Sequence, residues 1–60
     1  MDATEVKQIA TQLLSAMLAN PHIYASGSDE GVNGQQEQEL IAIAIAMAES
    51  LIRKVDQKLS

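Results

Sequence analysis

Residues 39–50, Glu39-Leu-Ile-Ala-Ile-Ala-Ile-Ala-Met-Ala-Glu-Ser50, hold nine consecutive apolar residues between two acids. Large side chains partly alternate with alanine here, which is the period of a half-buried strand. Alanine is nevertheless the best helix former and is poor in strands. The continuation settles the choice: Leu51, Ile52, Val55 and Leu59 follow at helical spacing, and no Gly or Pro interrupts from Gln35 onward. The stretch is therefore the middle of one long helix, expected over about 35–58.

Placed at roughly 100° per residue, Ile43, Met47, Leu40, Leu51, Ala44, Val55, Ala48, Ile41, Ile52 and Ile45 fill one continuous arc. Glu49, Arg53, Asp56 and Gln57 fall opposite. The arc is about 200° wide, against the roughly 100° stripe a helix buries on a single neighbour. Such a helix needs more than one partner. Ile43 and Ile45 lie near opposite edges of the arc, so at least one of them should meet a neighbour across a subunit boundary. The apolar set Leu40, Ile41, Ile43, Ile45, Met47 and Ile52 is the expected oligomer interface.

Working outward, a first helix is expected over about 3–19. Val6, Ile9, Ala10, Leu13, Leu14, Met17 and Leu18 recur at three- and four-residue steps, with Gln8, Gln12 and Ser15 opposite. Asp2 and Glu5 have the spacing of a capping box, and Pro21 stops the helix because it pushes the preceding residue out of helical geometry. The connection, about 20–34, contains all three glycines and the only proline. It is long for a helix–helix link, so His22, Ile23 and Tyr24 are expected to be held against neighbouring surface. Asn33 and Gln36 offer a second capping box.

Composition narrows the function. The 60 residues make a single domain near the size at which a lone core is marginal. There is no Phe, no Trp and no Cys, so the core must be aliphatic and neither disulfides nor thiolate metal sites can stiffen it. Self-association is the remaining source of stability. Eight acids against four bases give a net charge of −4, which argues against nucleic acid, whose phosphates need clustered Lys and Arg. The apolar run is far shorter than the ~20 residues that span a bilayer, the N-terminus lacks a signal-peptide pattern, and the helix's polar face lacks the bases of a membrane-surface helix. These features lead to the expectation of a soluble, cytoplasmic protein that binds no membrane.

No catalytic constellation stands out. An EF-hand loop beginning at Asp29 would need a ligand at Gly31 and a bidentate Glu at Leu40, so calcium is not expected. His22 has no Ser, Asp or Cys pattern around it and reads as a loop residue. Tyr24 reads as a cap on the core, and Met17 and Met47 as gap fillers. No cofactor and no enzymatic activity are expected. The acids Asp29, Glu30, Glu37 and Glu39 make the loop end negative, while Arg53, Lys54 and Lys58 gather at the other end.

The tetrapeptide Leu18-Ala19-Asn20-Pro21, an acidic polar loop and a second helix rich in Ala and Leu together resemble short uncharacterised helical-hairpin proteins of phage and prophage genomes. That resemblance implies a two-helix hairpin and brings no activity or site residue with it. The expectation is an all-α antiparallel hairpin that assembles as a homodimeric four-helix bundle, acting as a small structural or interaction protein. The alternative is a regulator or inhibitor whose loop end, Asp29, Glu30, Glu37 and Glu39, binds a basic protein surface.

Overall fold

The computed structural model describes residues 2–24 and 34–59. Among them the chain is a two-helix hairpin, α1 (Ala3–Leu18) and α2 (Gln35–Leu59), with no strand. Asp2 caps α1 with extended backbone, and its Oδ1 accepts from the Thr4 N–H at 3.0 Å. The first helical bond, Val6 N–H to the Asp2 carbonyl, follows at 3.1 Å. The helix ends one residue before the expected limit. Ala19 N–H still donates to Ser15, but Asn20 N–H turns in to Met17, and Pro21 has no N–H with which to continue.

Asn20 organises the turn that follows. Its carbonyl accepts from both Ile23 and Tyr24 N–H at 2.9 Å, and its Oδ1 accepts from His22 N–H at 2.9 Å. This is the local side-chain capture for which Asn is favoured in turns. The segment is then tied to the start of α2, where Gln36 Nε2 donates to the Ile23 carbonyl at 3.4 Å. The expected capping partner of Gln36, Asn33, lies outside the described residues. α2 is preceded by Gly34 at φ +77°, the left-handed region that disfavours side chains. Gln38 N–H closes the first turn onto the Gly34 carbonyl. α2 runs to Leu59, one residue past the expected end.

Packing uses a single i,i+4 row of α2. Leu40, Ala44, Ala48 and Ile52 are buried, and Ala48 is 0% exposed. Ala10 of α1 meets Ala44 and Ala48, flanked by the half-buried Val6, Ile9, Leu13, Leu14 and Met17. Alanine against alanine lets the two backbones approach closely, and it leaves little apolar volume inside the protomer. Among the described residues no large side chain is fully buried. The 16 residues of α1 span about 24 Å and the 25 of α2 about 37 Å. One helix therefore outruns the other.

A larger side chain on the alanine row should wedge the helices apart. Ala48→Leu should lower unfolding stability by ~1–3 kcal/mol, the usual overpacking cost. Ala46→Leu, on the exposed side of α2, should change stability little. Urea melts of both variants check this, and an Ala48→Leu protein as stable as the parent would rule out the tight alanine contact.

Candidate functional site

Burying one i,i+4 row divides the rest of the α2 apolar arc into two flanks. On one side lie Ile41 and Ile45, followed in the same row by Glu49 and Arg53. On the other lie Ile43, Met47, Leu51 and Val55. Of the six expected interface residues, Leu40 and Ile52 are thus spent inside the hairpin, while Ile41, Ile43, Ile45 and Met47 remain exposed. Ile43 and Ile45 face opposite ways, as their positions on the arc require.

The two flanks differ chemically. The Ile41–Ile45 side borders an open groove of about 510 Å³ between the helices, floored by Val6, Ala10, Leu14 and Ala44. Its walls also include Lys7, Thr11 and Glu49. The Thr11 hydroxyl donates to the Lys7 carbonyl at 2.7 Å. Polar groups therefore edge this groove along both helices.

The opposite flank carries no charge between Ile43 and Val55. Its four members are 47%, 49%, 48% and 46% exposed, and they form one continuous row. Lys7 and Thr11 stand about 100° round α1 from Val6, Ala10 and Leu14, on the groove side. Ile9 and Leu13 stand about 100° the other way from Ala10 and Leu14, in a row that begins at Glu5. The half-buried Ile9 and Leu13 therefore border the charge-free flank. Contiguous apolar surface of this kind is uncommon on a protein that works alone.

The acidic end is partly committed. The Tyr24 hydroxyl donates to Glu37 Oε2 at 2.6 Å, a short bond typical of a charged acceptor. That bond holds the Tyr24 phenol above its usual pKa, and it holds the Glu37 carboxyl below the usual carboxylate range. Glu39 is exposed and accepts from Gln35 Nε2 at 3.4 Å. Asp29 and Glu30 lie outside the described residues. His22 is exposed and contributes its backbone N–H to the turn. Among the described residues no three His, Asp or Glu side chains are placed to hold a metal ion, and no helix is long and apolar enough to cross a membrane.

The tie between Tyr24 and Glu37, thirteen residues apart, is the contact that sequence reasoning missed. An aromatic in a turn and an acid in the first turn of a helix give no pattern that pairs them. No family model, no curated protein and no solved structure matches the chain.

The latch should leave a pH signature. The lowered Glu37 pKa contributes stability that is present above the unfolded carboxylate value and lost as pH falls through the folded one. The raised Tyr24 pKa contributes stability that is present below the ordinary phenol value and lost as pH rises through the folded one. Tyr24→Phe should therefore lower Tm at neutral pH, and the gap should close once Glu37 is protonated. Thermal melts of both proteins across the acid range check this. A gap independent of pH would mean that the ring, and not the hydroxyl bond, does the holding.

Proposed function

We propose that this protein is a small non-catalytic structural or interaction module that works as a homodimer, two hairpins forming a four-helix bundle. The observation that carries the reading is the row Ile43, Met47, Leu51 and Val55, half exposed and uninterrupted by charge. Two further points support it. The protomer's own core is a strip of alanines with Leu40 and Ile52, and at this size one core rarely supplies more than ~3–5 kcal/mol. A partner helix laid on the flank would cover the second half of the α2 arc together with Ile9 and Leu13, as the inner face of a bundle requires.

Among the described residues no three His, Asp or Glu side chains gather as a competing centre. The displaced titrations of Tyr24 and Glu37 are accounted for by the bond they share. The alternative, in which the loop-end acids bind a basic protein surface, has less behind it among the described residues: Glu37 already has a partner in its own chain, and Asp29 and Glu30 lie outside them.

Sedimentation equilibrium at micromolar concentration should give twice the 6.4 kDa chain mass. Leu51→Glu should abolish the dimer, because the interface would bury an unpaired charge. A folded single chain at that concentration would refute the proposal. A Leu51→Glu protein with the parent's mass would move the interface elsewhere.

A further inference from the structure

The charge-free flank also specifies how a second copy of this chain would sit on it, and this inference rests on the dimer proposed above. We infer that the two copies dock antiparallel about a two-fold axis near Met47, with Glu39 of each protomer set beside Lys54 and Lys58 of the other.

The geometry is that of one ridge. Counting in fours from Ile43 backward, the row begins at Glu39, and counting forward it passes Met47, Leu51 and Val55. The next row outward is Ala42, Ala46, Ser50, Lys54 and Lys58, all exposed. The small residues stand beside the middle of the ridge, where a partner helix must come close. The bases stand only at its far end. The ridge therefore has an acid at one end, two bases alongside the other, and aliphatic surface between.

A two-fold interface is isologous, so each residue meets the counterpart that the axis assigns. With the axis at Met47 and the helices antiparallel, Ile43 meets the partner's Leu51. Glu39 meets the partner's Val55, one turn or less from the partner's Lys54 and Lys58. The parallel alternative sets Glu39 on Glu39 and bases on bases. Exposed pairs add little affinity each, but opposed and matched charges select between two arrangements that bury the same apolar row. The bond from Gln35 to Glu39 is long and exposed, at 3.4 Å, so Glu39 can turn to a stronger partner.

The chain has no cysteine, so single-cysteine variants of the full chain report the register directly. Under mild oxidation, Met47→Cys should form an interchain disulfide, because only near the axis does a residue meet itself within the short Cα separation a disulfide needs. Ile43→Cys alone and Leu51→Cys alone should not, whereas a mixture of the two should cross-link to each other. Glu39→Lys should raise the dimer dissociation constant several-fold, and adding Lys54→Glu and Lys58→Glu should restore it. If Ile43→Cys links to itself as readily as Met47→Cys, the helices run parallel and the inference fails while the dimer stands. If Ile45→Cys links and Met47→Cys does not, the opposite flank is the interface. If no variant links and the parent sediments as one chain, the dimer itself is overturned.

Discussion

The contact between Ala10 and the pair Ala44 and Ala48 decides the rest of the molecule. Two helices that touch through methyl groups lie close, and closeness is favourable for dispersion and for excluding water. At the level of Ala44 and Ala48 the same closeness leaves no room for a larger α2 side chain. Every large aliphatic residue of α2 other than Leu40 and Ile52 is therefore displaced to one flank or the other. A helix pair packed through leucines would stand further apart and use up more of its own apolar surface. This one keeps that surface available.

Much of this was legible from residue spacing. The helix limits followed from the apolar recurrence, Pro21 and the run free of Gly and Pro after Gln35: both helices start where expected, and each C-terminal end differs by one residue. The excess width of the α2 arc was legible too, because angular position needs only the helix period. What periodicity could not say is which part of the arc the neighbouring helix takes. Leu40 and Ile52 looked as available for a second subunit as Ile43 and Met47 did, since all four lie on the same arc. The choice depends on which rows interdigitate, and that is a property of two helices together. The short bond between Tyr24 and Glu37 was illegible for a related reason: it joins a turn to a helix start across a long connection, so neither side carries a local sign of the other.

The turn after α1 shows how few interactions can bring a long connection back to the bundle. Asn20 folds 20–24 over on itself through three hydrogen bonds. Gln36 and Glu37 then fasten the folded segment to the first turn of α2. Ile23 stays exposed while its carbonyl is used. The segment is held by polar groups at its backbone and phenol, with Tyr24 half-buried, while Ile23 does not give the apolar cover expected of it beyond a helix end. That arrangement leaves the apolar flanks of α2 clear.

Tyr24 is also the only Phe, Tyr or Trp in the chain. Near-ultraviolet absorbance and intrinsic fluorescence originate at one ring, and that ring sits on the fastening between turn and helix. Any change in tyrosine absorbance or emission therefore describes that junction and stays silent on the alanine seam. A denaturation curve followed by tyrosine emission and one followed by backbone dichroism would be independent measurements of separate parts of the same hairpin. Where they diverge, the junction lets go before the helices part.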